Sequence, residues 1–185
     1  MIIGPWDHII NTRRVAAGVD FGSEAIIDWD GYIIRWFDYY LKDIENGLEN
    51  DPPVHVFVMG RNQWRAALDW PLPQTQFTRF YLHSNGTANS SRGDGSLSTQ
   101  RPGSESPDEY LYNPHTPTPS AAFANGHIDG PRDISQSAFR NDVLVYDTPV
   151  LTDDMEITGP VTATLFASSS AYDTCLLYTN PRPRD

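Results

Sequence analysis

The sequence predicts a two-part chain, the edge of an α/β domain followed by an all-β sandwich or jelly roll. Three observations point there. All five tryptophans (Trp6, Trp29, Trp36, Trp64 and Trp70) precede residue 71, whereas ten of the fifteen prolines follow residue 73. One long amphipathic pattern, Ile26 to Ile44, runs ahead of a β-branched stretch, Val54 to Val58. After Pro73 only short strand-like runs occur, separated by loops of Gly, Ser, Asn and Pro. The junction falls at Trp70-Pro71-Leu72-Pro73, where no regular element can continue, and divides the chain into residues 1–73 and 74–185.

In the first part, Ile26, Ile33, Phe37, Tyr40 and Ile44 recur on one face of a helix. Asp28 or Asp30 can cap its start, and Asn46-Gly47 can end it in a left-handed turn. After Pro52-Pro53, Val54 to Val58 reads as a short buried strand closed by Gly60. A core helix feeding a buried strand is the edge of an α/β domain. In the second part the strand candidates are Phe77 to Leu82, Tyr110 to Tyr112, Val143 to Tyr146 and Thr158 to Ser168. The last is the clearest, since Val161, Ala163, Leu165 and Ala167 alternate with Thr162, Thr164, Phe166 and Ser168. Gly93-Asp94-Gly95 is the best hairpin turn.

Composition narrows the function. With 24 acidic and 13 basic side chains, a formal net charge of −11, the chain lacks the basic footprint of a nucleic-acid binder. Both parts are acidic, residues 1–73 with 11 acidic against 6 basic side chains and residues 74–185 with 13 against 7. No apolar run reaches the roughly 18 residues that span a bilayer, and Met1 to Trp6 lacks a signal-peptide pattern, so a cytoplasmic protein without a membrane partner is expected. The single cysteine, Cys175, can form neither an internal disulfide nor a thiolate zinc site. His83, His115 and His127 have no metal-ligand spacing, and neither a metal nor a cofactor is expected.

The pentapeptide Gly4-Pro5-Trp6-Asp7-His8 is the most informative motif. Pro5 stiffens the backbone and Trp6 offers a large anchor, so the imidazole of His8 can be held ready as a general base. The bland alternative is a surface histidine after a turn. His55, inside a strand pattern, reads as structural, and the aromatic stripe Trp36, Phe37, Tyr39 and Tyr40 as core. Asp153-Asp154 with Glu156 lacks calcium-loop spacing and reads as a solvated turn. Arg92-Gly93-Asp94 and the glycosylation patterns at Asn85 and Asn89 are matches by letter only.

Ten short motifs then follow in order. After Gly4 to His8 come Arg35-Trp36-Phe37-Asp38-Tyr39-Tyr40-Leu41-Lys42, Val56-Phe57-Val58-Met59-Gly60, Trp64-Arg65, and Asp69 to Pro73. Phe80-Tyr81-Leu82, Gly130-Pro131-Arg132-Asp133, Asp142 to Tyr146, Leu151-Thr152 with Thr158-Gly159-Pro160-Val161, and Ser168 to Thr174 complete the series. Together they resemble the family of cocaine esterase, α-amino-acid ester hydrolases and X-prolyl dipeptidyl peptidases, over residues 2 to 174.

The resemblance implies a serine hydrolase with an α/β-hydrolase domain, an inserted helical cap and a C-terminal jelly roll. On that basis residues 1–73 are the C-terminal end of the α/β-hydrolase domain. Residues 74–185 are a truncated jelly roll, a galactose-binding-like β-sandwich. His8 matches the triad histidine, and Trp6 the tryptophan packed around its loop. No Gly-x-Ser-x-Gly elbow occurs in the chain. Gly22-Ser23, Gly95-Ser96 and Gly103-Ser104 lack that spacing. The nucleophile, the triad aspartate and the cap are therefore expected upstream, and the chain alone is expected to be inactive, since losing a triad nucleophile costs about 10⁶ in turnover. Cys175 to Asp185 departs from the family pattern, as in a truncated or frame-shifted product.

Three functional readings stand side by side. The first is a C-terminal fragment of a hydrolase of small esters or peptides. The second is a carbohydrate-binding-like β-sandwich module, weakened by the absence of Trp from residues 74–185. The third is a subunit that completes a split hydrolase in trans with a separate N-terminal half.

Overall fold

The computed structural model describes residues 1–7, 13–119 and 133–172, and the backbone of two further short strands. In chain order the elements are β1 (Ile2–Ile3), β2 (Val15–Ala16), β3 (Val19–Asp20), α1 (Trp29–Lys42), β4 (Val54–Val58) and β5 (Gln63–Ala67). They continue with β6 (Tyr81–His83), β7 (Ser96–Ser98), β8 (Phe123–Ala124) and β9 (His127–Ile128). Three 3₁₀ turns, Ser23–Ala25, Leu48–Asn50 and Ser137–Phe139, complete the inventory among the described residues. The architecture is mainly β with one α-helix. Two compact units emerge, Met1–Thr75 with Ala122–Arg132, and Gln76–Ala121 with Asp133–Asp185.

In the first unit β4 is the central strand of a three-stranded sheet in the order β1-β4-β5. β1 runs parallel to it, pairing Ile2 with His55 and Ile3 with Val56, and β5 runs antiparallel, pairing Phe57 with Trp64. The β4 side chains Val54, Val56, Phe57 and Val58 are all buried, as a β-branched run at the centre of a sheet should be. One core cluster joins Ala16, Phe21, Ala25 and Phe57, with Trp64 packed against it. A second joins Val54, Val56 and Leu72, covered by Ala67 and Trp70.

Sequence periodicity missed two hairpins in this unit. The tight turn Ala17-Gly18 joins β2 to β3 with φ values of 51° and 86°, the positive pair that a two-residue hairpin turn demands. The turn after β4 passes through Gly60 at φ 88° and Asn62 at φ 52°, and delivers β5, where only the closing glycine had been expected.

Helix α1 begins as expected. The Asp28 side chain accepts a hydrogen bond from the Gly31 N–H, the N-cap role. Its end corrects the expectation, because Asp43, at φ 53°, takes the left-handed cap position and stops the helix ahead of Asn46-Gly47. The Ile44 N–H then bonds the Asp38 carbonyl at 3.1 Å across that cap. Beyond it, the Arg35 guanidinium bonds both Asp51 oxygens, at 2.5 and 3.2 Å. The Asn46 amide in turn donates to the Arg35 carbonyl at 2.7 Å. The hydrogen bond to Asp51 and its charge raise the Arg35 pKa and lower that of Asp51, so the pair stays ionised and clasps the return segment to the helix.

The expectation of a core helix is also corrected, since no residue of α1 is buried. Trp36, Phe37 and Tyr40 are exposed, with Phe37 edge-on to Trp36 at 5.2 Å and Tyr40 tilted against Trp36 at 4.5 Å. The apolar stripe was real, but the core of this unit closes between the sheet and the Ser23–Ala25 turn without it.

In the second unit β6 and β7 form an antiparallel pair with Leu82 opposite Leu97. Gly93-Asp94-Gly95 does lie in the connection between them. A Cβ on Gly95 would overlap the Val145 carbonyl, and one on Gly93 the Thr87 carbonyl, so backbones approach there as only glycine permits. Of Phe77 to Leu82 only the last two residues enter a strand, and Tyr110 to Tyr112 forms none. Val143 to Tyr146 is held by one bridge, Leu144 with Asn89, and by backbone bonds, including Val145 N–H to Ala88 O at 2.9 Å. Thr158 to Ser168 is corrected outright, because it forms no strand and leaves Val161, Leu165 and Phe166 exposed. Alternation says which face a strand would bury, but the strand also needs a neighbour's N–H and C=O groups, and among the described residues none pairs with it.

Candidate functional site

β1 leads directly into Gly4-Pro5-Trp6-Asp7. Pro5 is buried, and the Trp6 indole N–H donates to the Ala25 carbonyl at 2.6 Å. A side chain at Gly4 would collide with the Trp6 ring, so the indole folds back over Gly4. Trp29 meets the Trp6 ring edge-on at 6.2 Å, and Trp64 meets it at 5.7 Å. Trp6 thus ties the segment after β1 to the Ser23–Ala25 turn. His8 itself, with residues 9–12, lies outside the described residues.

One other histidine sits in a triad-like setting that sequence reasoning overlooked. His83 Nδ1 lies 2.8 Å from Glu105 Oε1, and its Nε2 lies 3.1 Å from Ser98 Oγ and 2.9 Å from the Gln100 carbonyl. The Gln100 oxygen can only accept, so Nε2 carries a proton, and the carboxylate draws one to Nδ1 as well. The hydrogen bond that the ring donates to Glu105 raises its pKa against desolvation, with the Gln100 carbonyl helping. Glu105 thus favours the charged form of the ring over the neutral base that a triad needs. Through these bonds the ring joins β6 and β7 to the segment around Glu105. Nothing local in the sequence announces a pair 22 residues apart.

The remaining candidates resolve simply. His55 lies in β4, opposite Ala66. His115 is exposed, and the side chains of Phe123, Ala124, His127 and Ile128 lie outside the described residues, as do Cys175 and its tail. Among the described residues no group of three or more His, Cys, Asp or Glu side chains gathers as a metal site. Thr158 Oγ1 donates to Glu156 in an exposed turn, in keeping with a solvated acidic segment. Arg92-Gly93-Asp94 lines an open depression of about 460 Å³, but Asp94 accepts from the Asn85 N–H at 2.9 Å and Arg92 lies over the Phe139 ring. The Asn89 amide donates to the Glu109 and Asn141 carbonyls, so it is engaged within the fold. Among the described residues no helix is long and apolar enough to cross a membrane.

A family model for the X-Pro dipeptidyl-peptidase C-terminal non-catalytic domain matches residues 46–179. The chain belongs to that family. The matched span starts upstream of Pro73 and takes in β4, β5 and the whole β6–β7 hairpin. Among relatives, cocaine esterase of a Rhodococcus species is 45% identical over 181 residues, 94% of this chain and 31% of that protein. A candidate serine esterase of Mycobacterium bovis is 31% identical over 184 residues, 94% of this chain and 26% of that protein. A candidate Xaa-Pro dipeptidyl-peptidase of Bacillus anthracis is 36% identical over 78 residues, 41% of this chain and 13% of that protein. The chain thus spans about a third of the length of the first of these relatives. The resemblance drawn from the ordered motifs is therefore shown, and the relatives carry the names of esterases and peptidases.

Proposed function

We propose that this chain is the C-terminal portion of a serine hydrolase that transfers an acyl group from a small ester or an X-Pro peptide to water. The observation that carries this is the 45% identity to cocaine esterase across 94% of the chain. Residues 1–73 form the end of an α/β-hydrolase domain, and residues 74–185 a partial jelly roll of the β-sandwich kind. The non-catalytic family match overlaps the first part from residue 46. His8, in Gly4-Pro5-Trp6-Asp7-His8, is the general base that takes the serine proton and returns it to the leaving group. The anchored geometry up to Asp7 supports that role.

No Gly-x-Ser-x-Gly elbow occurs within these 185 residues, so the nucleophile is assigned to sequence beyond them, and the family resemblance assigns the triad acid there too. The chain alone is accordingly inactive, and its partner is the hydrolase portion bearing the serine. Incubation of the purified chain with p-nitrophenyl acetate and a fluorophosphonate probe tests this. Background hydrolysis and no labelling are expected, and stoichiometric labelling with saturable turnover would contradict the reading. Turnover regained on adding a serine-bearing hydrolase half would identify complementation in trans.

A further inference from the structure

Three Asn-Gly pairs occur in the chain, Asn46-Gly47, Asn85-Gly86 and Asn125-Gly126. Such a pair can rearrange, because glycine carries no side chain to shield its nitrogen from the preceding amide carbon. The last pair lies outside the described residues. The structure treats the other two in opposite ways. Asn46 is half-buried, its amide donates to the Arg35 carbonyl at 2.7 Å, and its Oδ1 accepts from the Leu48 N–H at 3.2 Å. That amide cannot swing over the Gly47 nitrogen without losing both bonds.

Asn85 is exposed, at the bend that follows β6. The Gly86 N–H beside it donates to Ser84 Oγ at 3.1 Å, and the Ser84 hydroxyl donates to Asp108 Oδ2 at 2.7 Å. The two bonds form one line from a backbone nitrogen through a hydroxyl to a carboxylate. A hydroxyl so placed can accept one proton as it gives up another. The bend depends on glycine, since Gly86 stands at φ 91° and a Cβ there would press on the Pro107 carbonyl at 3.2 Å.

We propose that Asn85 is a self-deamidation site: Asp108, acting through Ser84, takes the Gly86 N–H proton as that nitrogen attacks the Asn85 amide carbon. The new C–N bond closes a succinimide ring. The side-chain amide nitrogen leaves as ammonia, with the proton returned to it through Ser84. Water then opens the ring to a carboxylate and a proton, giving aspartate where the Cγ–N bond breaks and isoaspartate where the backbone carbonyl is cleaved. No other reactant enters. The bonds from Tyr146, Ala88 and Ser84 keep Asp108 ionised, which leaves it ready as an acceptor but weak as a base. The product alters the connection between β6 and β7. Asn85 holds Asp94 through its backbone N–H, at 2.9 Å, and also through its side chain, and both bonds lower the Asp94 pKa. An aspartate at this position sets a second carboxylate against Asp94 and loosens the connection. The inference is independent of the role given to His8.

The test is peptide mapping by mass spectrometry of the full chain after incubation at neutral pH, folded and in urea. The tryptic peptides Phe80–Arg92 and Asp43–Arg61 carry the two sites, and fragmentation separates Asn85 from Asn89 and Asn46 from Asn50. In urea both sites should convert at similar rates. In the folded chain Asn85 should convert about 10- to 100-fold faster than Asn46, whose two hydrogen bonds must first break. Ser84→Ala should slow conversion at Asn85 by about 10-fold, less than a general base usually contributes because Asp108 is a weak one. Ser84→Thr, which keeps the hydroxyl, should restore the rate. Asp108→Asn should slow it as Ser84→Ala does, and keeps the test open should Ser84→Ala fail to fold. Equal conversion of Asn85 and Asn46 in the folded chain would overturn the site. A folded Ser84→Ala or Asp108→Asn variant that converts at the wild-type rate would overturn the relay.

Discussion

The Tyr146 hydroxyl donates a 2.6 Å hydrogen bond to Oδ2 of Asp108, 38 residues away, and Ser84 Oγ donates to the same oxygen at 2.7 Å. The Ala88 N–H bonds the other carboxylate oxygen, also at 2.7 Å. Asp108 thereby ties its own segment to two others of the second unit, the Ser84–Ala88 stretch and Tyr146, around one partly buried acceptor. Desolvation opposes its charge, but the bonds from Tyr146, Ala88 and Ser84 outweigh it and hold its pKa below the ordinary value. Burial, together with the same contact, pushes the Tyr146 hydroxyl pKa up, so it remains a donor throughout the working range.

Asp108→Ala leaves three donors without an acceptor and should destabilise the chain by about 2–4 kcal/mol, against about 1 kcal/mol for Tyr146→Phe. Because the folded-state pKa of Asp108 is lowered, its contribution is complete above about pH 4 and fades as pH falls through that lowered value. Urea midpoints between pH 7 and pH 2.5 should fall less steeply for Asp108→Asn than for wild type. Parallel curves would remove Asp108 from the acid response.

His83 titrates with the opposite sign. Its pKa is raised, chiefly by Glu105, so the stability it adds is complete below about pH 6.5 and is lost as pH rises through the raised folded value. The ring resonances should titrate above 6.5 and return toward it in Glu105→Gln. The stability difference between wild type and His83→Gln should shrink from pH 6 to pH 9.

The β2–β3 turn offers a gain. Ala17 sits at φ 51°, a left-handed conformation that costs an L-residue roughly 1–2 kcal/mol and that asparagine tolerates better. Ala17→Asn should raise stability by about 0.5–1 kcal/mol, visible as a melting temperature a few degrees higher. A β-branched residue there should lower it.

Two glycines form a matched control. A methyl group on Gly95 would run into the Val145 carbonyl and the Ala88 side chain, so Gly95→Ala should cost about 1–3 kcal/mol or more. Gly103 faces open space, and Gly103→Ala should be close to neutral in the same melt. Equal effects at both sites would show that the close approach at Gly95 relaxes without penalty.

Legibility in the sequence followed the range of the interaction. The Asp28 cap and the buried β4 run were readable because a cap acts within three residues and a β-branched run advertises its own burial. β5 was not, since Gln63 to Ala67 mixes polar and apolar residues and becomes a strand by pairing with β4. Thr158 to Ser168 failed in the other direction, with the right alternation but no partner backbone among the described residues. The helix stripe of Trp36, Phe37 and Tyr40 was read correctly as apolar and wrongly as core, because burial depends on what the rest of the fold brings to that face.

By itself, then, the sequence determined the order of motifs that places the chain in its family and the start of the helix, both of which depend on neighbours along the chain. Tertiary structure alone decided that Trp6 and Trp64 share one turn, that His83 lies between Glu105 and Gln100, and that Asp108 ties its own segment to Ser84–Ala88 and Tyr146. Hydrogen bonds and ring contacts form over a few ångströms in space, and separation along the chain leaves no local signature of which groups will meet there.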